Sequence, residues 1–167
     1  MKKVRALPEA KIRKAITDFL KSFPFFETLT SEELLVAVEH INFLEVEPKT
    51  ILFREGDDAD SVYFVIEGKL DVIKESARKG SKSEYVLIST LSQGRSIGEM
   101  SVIDKTPRSA TVRVREKAVL ASLKADGFDL LLLNHPKVGI KILKGIARLL
   151  SMNLRKTSAR LAEYMLP

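Results

Sequence analysis

Cysteine is absent from the 167 residues, which removes disulfides, thiolate metal sites and thiol nucleophiles together. Histidine occurs only at positions 40 and 135, too few for a multi-histidine metal site or an imidazole relay. No apolar run approaches the ~20 residues that a membrane span requires. The basic opening, MKKVRALPEAKIRK, is not followed by the apolar core of roughly 7–15 residues that marks a secretory signal. Also missing are a Gly-x-Ser-x-Gly elbow, a Walker loop and an obvious pair of catalytic carboxylates. The expectation is a soluble, cytoplasmic protein that is not an enzyme. What is present, 45% hydrophobic and 30% charged residues, is too apolar for disorder. At about 100–200 residues per domain, the length suits one domain with a helical appendage.

The formal net charge of +6 conceals a segregation. Residues 1–26 carry net +5 and residues 27–75 net −9, while residues 76–125 carry +6 and residues 126–167 carry +4. A pI near 9.5 first brings nucleic acid to mind, but the positive charge is divided by a strongly acidic block. Dispersed lysines and arginines of this kind read as solvated faces, so DNA is not an expected partner. Asp57, Asp58 and Asp60 lack the loop pattern ending in Glu that a calcium site needs, and they read as a solvated turn.

The hydrophobic period changes twice along the chain. Ile12, Ala15, Ile16, Phe19, Leu20 and Phe23 recur at helical spacing after Pro8, and Pro24 ends the run. Thr30 and Glu33 then form a capping-box pattern ahead of Leu34, Leu35, Val38 and Ile41. From Asn42 the period is two, and short apolar segments predict strands at 43–47, 50–54, 61–67, 69–75, 84–91, 110–115 and 119–124. After Asp126 the period is helical again, with a short helix at 126–133 and a long one from Pro136 to about Met165. The predicted organisation is an N-terminal helical segment (1–41), a β-roll (42–125) and C-terminal helices (126–167). The fold class is mainly β, a β-roll or jelly roll with flanking helices.

One strand-poor stretch, residues 94–111, interrupts the β region. Gly98 permits a close backbone approach, and residues 99–103 make about one helical turn whose free N–H groups favour an anion. Arg108, fixed behind Pro107, offers a guanidinium fork, and the small Ser109 and Ala110 leave backbone N–H groups uncovered. These groups suit a phosphate-sized anion. Glu99 would repel a phosphate, so it reads as an acceptor for a neutral hydroxyl such as that of a ribose. Met100, Val102 and Ile103 read as core packing of the short helix.

The run Gly98-Glu99-Met100-Ser101-Val102-Ile103-Asp104-Lys105-Thr106-Pro107-Arg108-Ser109-Ala110-Thr111 resembles the phosphate-binding cassette of cyclic nucleotide-binding domains. Such domains occur in catabolite-activator-type regulators, in regulatory subunits of cyclic-AMP-dependent kinase and in cyclic-nucleotide-gated channels. Residues 53–68 resemble the strand–turn–strand that precedes the cassette there, and the likeness extends from about Phe23 through the last helix. The resemblance implies a cassette at 97–111 that binds cAMP or cGMP and needs no cofactor besides this ligand. It implies that Arg108 meets the exocyclic phosphate oxygens, with Ser109 and Ala110 adding hydroxyl and backbone contacts. It further implies that Glu99 accepts from the ribose 2′-OH, that Gly98 lets the backbone close on the sugar, and that Asn153 on the last helix meets the base. Ser109 leans towards cAMP without excluding cGMP. The resemblance also implies a homodimer through the last helix and transmission to a downstream protein. Two alternatives stay open: an interaction module of the same fold with an empty pocket, and a fragment of a DNA-binding regulator.

Overall fold

The computed structural model describes residues 4–6, 19–76 and 84–165. Seven antiparallel strands form one hydrogen-bonded sheet that curls into a roll: β1 (Val4–Ala6), β2 (Ile41–Val46), β3 (Ile51–Phe53), β4 (Ser61–Ser76), β5 (Glu84–Leu91), β6 (Ser96–Ile97) and β7 (Thr111–Lys124). The order is β1-β2-β7-β4-β5, with β3 joined to β7 and β6 joined to β4. Among the described residues, four complete helices flank it: α1 (Ser31–Val38), α2 (Glu99–Asp104), α3 (Ala125–Asn134) and α4 (Pro136–Met165). The β-roll with flanking helices is therefore the observed fold.

Two long strands replace four of the predicted short ones. The segments read at 61–67 and 69–75 are one strand, β4, and those at 110–115 and 119–124 are one strand, β7. Gly68 reads as a break in sequence, yet it is a bend inside β4. Its φ is +90°, and a Cβ there would lie 2.3 Å from the Lys117 carbonyl oxygen, so only glycine lets the two strands curl together. The pairing register between β4 and β7 shifts on either side of it, between Val65 and Leu70. Residues 4–6 also depart from expectation: they pair with β2 as a strand, where the sequence predicts a helical N-terminal segment. The predicted opening helix lies outside the described residues except for its end at Phe19–Leu20.

Two apolar clusters hold the roll. Val65, Leu70, Val112, Val114 and Leu120 fill its interior together with Phe53. The other cluster glues the helices to the outside of the roll, and Phe64 is its hub. Its ring makes edge or tilted contacts with Phe23, Phe25 and Phe26 at centroid distances of 5.3, 4.9 and 5.1 Å. Ile142 and Ile146 of α4 belong to the same cluster. The capping box forms as the spacing predicts, with Thr30 Oγ1 accepting from Glu33 N (3.2 Å) and Glu33 Oε2 accepting from Thr30 N (2.8 Å). The same carboxylate accepts from Lys141 Nζ at 2.6 Å, which ties α1 to α4. Arg148 pairs with Glu27 about two turns further on. Beyond Leu150, α4 runs exposed to its end, with only Asn153 partly covered.

Phe64→Ala removes the hub of the outer cluster. Urea unfolding should show a loss of about 3–5 kcal/mol, the range for truncating a buried phenylalanine. A loss below about 1 kcal/mol would contradict the assignment of Phe64 as the hub.

Candidate functional site

The site is built where β6 hands over to α2. Ser96 and Ile97 pair with Phe64 and Tyr63 of β4, which pins the start of the cassette to the roll. Gly98 follows at φ +91°, and a Cβ there would meet Arg108 Nη1 at 2.3 Å and the Ser61 carbonyl at 2.9 Å. The guanidinium therefore lies directly on the glycine backbone. At its far end α2 is closed by Asp104, whose Oδ1 accepts from Thr106 N (3.0 Å) and Thr106 Oγ1 (2.7 Å), holding that carboxyl below its usual range.

A second clamp fixes Arg108 from the opposite strand turn. Its backbone N–H donates to the Asp57 carbonyl and its carbonyl accepts from Gly56 N–H, both at 2.9 Å. The turn closes on itself through Arg54 N–H, which donates to Asp57 Oδ2 at 2.7 Å. The Asp57 carboxylate is thus a turn device, and the Asp60 carboxylate accepts from Ser61 Oγ at 2.6 Å.

Arg108 is only 4% exposed, and its partners are sparse. Nη1 donates to the Gly98 carbonyl at 3.4 Å, Nη2 stands 3.9 Å from Asp60 Oδ1, and Nε has no partner. Burial pushes its pKa down, opposed by the nearby Tyr63, Asp60 and Asp57. Glu99, 8% exposed, is in a similar condition. Its Oε1 accepts a long 3.5 Å bond from Asn153 Nδ2, its Oε2 has no partner, and burial pushes the carboxyl's pKa up. A buried polar atom without a partner costs on the order of 1–3 kcal/mol, so two in one place mark a candidate binding site.

Five of the six residues singled out in sequence line one small cavity of about 60 Å³: Gly98, Glu99, Arg108, Ser109 and Ala110, together with Phe53, Ile97 and Met100. The sixth, Asn153, lines an adjoining groove of about 490 Å³ between α2 and α4, which shares Glu99 and Met100 with the first. The small cavity is scaled to a compact charged group and the groove to a larger, flatter one. Met100 and Ile103, read as core packing, are instead 52% and 41% exposed and line the groove; only Val102 is buried. On a six-residue helix the apolar positions divide between core and groove, and spacing alone does not separate them. Phe53 and Tyr63 carry no sequence signal for the site, because each reads as an ordinary strand aromatic. Yet the Arg108 guanidinium carbon sits over the Phe53 ring at 4.2 Å and 5.9 Å from the Tyr63 ring centroid.

Residues 43–135 match the family model described as the cyclic nucleotide-binding domain. The chain is 35% identical over 129 residues to a cAMP-dependent protein kinase regulatory subunit of Yarrowia lipolytica, covering 75% of this chain and 32% of that protein. It is 34% identical over 114 residues to lysophospholipase NTE1 of Chaetomium globosum, covering 65% of this chain but 7% of that protein. The chain thus spans about a third of the first relative and a small part of the second. Among solved structures, a cyclic nucleotide-binding domain from Methylobacillus flagellatus superposes with a TM-score of 0.84 at 28% identity, covering 98% of this chain and 90% of that one. With more than half of its length inside the family match, and with Gly98, Glu99 and Arg108 converging on one cavity, the chain belongs to the cyclic nucleotide-binding domain family.

Proposed function

We propose that this chain is a non-enzymatic receptor for a cyclic purine nucleotide, cAMP before cGMP. The observation that carries the reading is the paired want of Arg108 and Glu99: a buried guanidinium and a buried carboxyl on one cavity, each with an unpartnered polar atom. A cyclic nucleotide offers what each lacks, a phosphate anion for the first and a neutral ribose hydroxyl for the second. In this reading Arg108 takes the exocyclic phosphate oxygens, with Ser109 and the Ala110 N–H beside it. Glu99 accepts from the 2′-OH, and Gly98 allows the sugar to lie against the backbone. The base then enters the groove, where the Asn153 amide can both accept from an adenine amino group and donate to a ring nitrogen.

Output passes through α4, because the groove has α2 on one wall and α4 on the other. A ligand that bridges both walls favours the arrangement in which they are close, a population shift. The receptor works as a homodimer in this proposal, and the sequence of α4 supports it. Ile140, Leu143, Ala147, Leu150, Leu154, Thr157, Leu161 and Tyr164 alternate by three and four, the seam of a two-stranded coiled coil. Leu154, Leu161 and Tyr164 are 67%, 57% and 88% exposed, which leaves that seam uncovered in the single chain. A downstream protein reads the result, and no DNA partner is proposed. No helix among the described residues is long and apolar enough to cross a membrane. The cytoplasm is the proposed setting, in keeping with a cysteine-free chain that uses no disulfide.

Calorimetry with cAMP and cGMP tests the reading, which predicts saturable binding. No binding of either would leave the interaction-module alternative in its place. Arg108→Ala should weaken cAMP binding more than about a hundredfold, since an unpaired buried charge costs roughly 3–5 kcal/mol; an affinity within a few-fold of the parent contradicts the role. Asn153→Ala should change the cAMP-to-cGMP affinity ratio, and an unchanged ratio removes Asn153 from the base site. Glu99 also makes a pH prediction. Its folded pKa lies above its ordinary value of 4.5, so the fold is favoured by protonation; that advantage is complete below the unfolded pKa and gone above the folded one. Glu99→Gln should therefore match the parent's stability near pH 4 and exceed it near pH 8 in urea unfolding. A stability difference that does not grow with pH would contradict the buried, pKa-raised carboxyl.

A further inference from the structure

The polar contacts of Arg108 do not account for the placement of its guanidinium. One donor reaches the Gly98 carbonyl at 3.4 Å, near the limit of a hydrogen bond, and Asp60 stands off at 3.9 Å on an exposed side chain whose carboxylate accepts from Ser61 Oγ. Nε has no partner at all. An arginine so poorly tethered ordinarily turns its charge towards water, yet this one is 4% exposed. What does contact the group is aromatic. The guanidinium carbon lies 4.2 Å from the centroid of the Phe53 ring, over its face, and the Tyr63 ring flanks the pair, its centroid 6.0 Å from that of Phe53 and 5.9 Å from the guanidinium carbon.

The backbone explains why ring and guanidinium meet. Phe53 ends β3, where it pairs with Val112 of β7, four residues beyond Arg108. The turn that follows Phe53 is hydrogen-bonded to Arg108 in both directions, through Gly56 N–H and the Asp57 carbonyl. Thr111 Oγ1 adds a third tie, accepting from Glu55 N–H at 3.0 Å. On the other strand, Tyr63 pairs with Ile97, the neighbour of Gly98. The aromatic pair is thus fixed to both strands that deliver the cassette, and Phe53 itself lines the small cavity.

We propose that Phe53 is a positioning residue for the phosphate-binding arginine: its ring face holds the Arg108 guanidinium at the cavity and so keeps hydrogen-bond donors free for the ligand. The inference rests on the reading of this cavity as a nucleotide phosphate site. A cation over an aromatic face is attracted without using any N–H group, and the attraction grows when the cation is desolvated. A carboxylate in the same place would occupy the donors and compete with a phosphate for them. The ring removes that competition and limits the number of guanidinium orientations that binding must restrict. An aliphatic side chain at position 53 fills the same space with no quadrupole to hold the charge.

Calorimetric titration of the parent chain, Phe53→Leu and Phe53→Tyr with cAMP tests this. Phe53→Leu should lose about tenfold in affinity while unfolding cooperatively, and Phe53→Tyr, which keeps the ring, should stay within about threefold of the parent. Phe53→Leu binding as tightly as the parent overturns the proposal, as does an equal loss in both variants, which would make position 53 a matter of packing alone. A second measurement needs no ligand and no variant at position 53. In the ligand-free parent, the Arg108 δ-proton resonances, identified by their loss in Arg108→Lys, should be shifted upfield by the ring; random-coil positions overturn the proposal. If the parent binds neither cyclic nucleotide, the proposed function fails, and the proton shifts alone decide whether Phe53 positions Arg108.

Discussion

The site depends on keeping one guanidinium out of water without neutralising it. Arg108 is buried within the cassette, lies against a glycine that no other residue can replace without collision, and among the described residues is ion-paired only with Asp60, at 3.9 Å. A full salt bridge would satisfy the charge and compete with the proposed phosphate for the same donors. Exposure to solvent would leave the charge to bulk water and forfeit the advantage of a desolvated cation. The structure holds an intermediate condition, in which backbone clamps place the residue and aromatic faces shelter it. Gly98, the Gly56–Asp57 turn, β6 and the Phe53–Tyr63 stack all serve that placement.

Glu99 extends this logic towards α4. Its carboxyl is the shared wall of the phosphate-sized cavity and the larger groove, and its one side-chain partner, Asn153, belongs to the last helix. The cassette and α4 therefore already touch through the group proposed to receive the sugar. A hydroxyl arriving at Glu99 alters the surroundings of Asn153 directly, with no longer chain of contacts required. Nearer its start, α4 is anchored by Lys141–Glu33, Arg148–Glu27 and the Phe64 cluster, whereas beyond Leu150 its residues are exposed apart from Asn153. Asn153 sits at that boundary, so in the proposed coupling a change of contact at Glu99 acts first on the outer part of the helix.

The architecture was legible wherever one residue type has one structural use. The Thr30–Glu33 capping box, the period change at Asn42 and the break at His135-Pro136 each marked an element that the structure contains. Gly68 misled because glycine serves equally as a turn and as a bend within a long strand, and only the close approach of Lys117 distinguishes them. The cassette residues were legible because a glycine, a carboxylate and a Pro-Arg pair at fixed spacing have few joint explanations. Phe53 was not, since β3 brings it to Arg108 through a pairing with β7 that spans more than fifty residues. Met100 and Ile103 depart from the predicted core packing for a related reason: a six-residue helix laid across a groove has no single buried face.

The central claim is that nucleotide binding in the cassette is felt by α4. Hydrogen exchange with and without saturating cAMP addresses it most directly. The account predicts slower amide exchange in both α2, residues 99–104, and the part of α4 around residues 150–157. Protection confined to the cassette, with exchange in α4 unchanged, would contradict the coupling; no change in either segment would contradict the site itself.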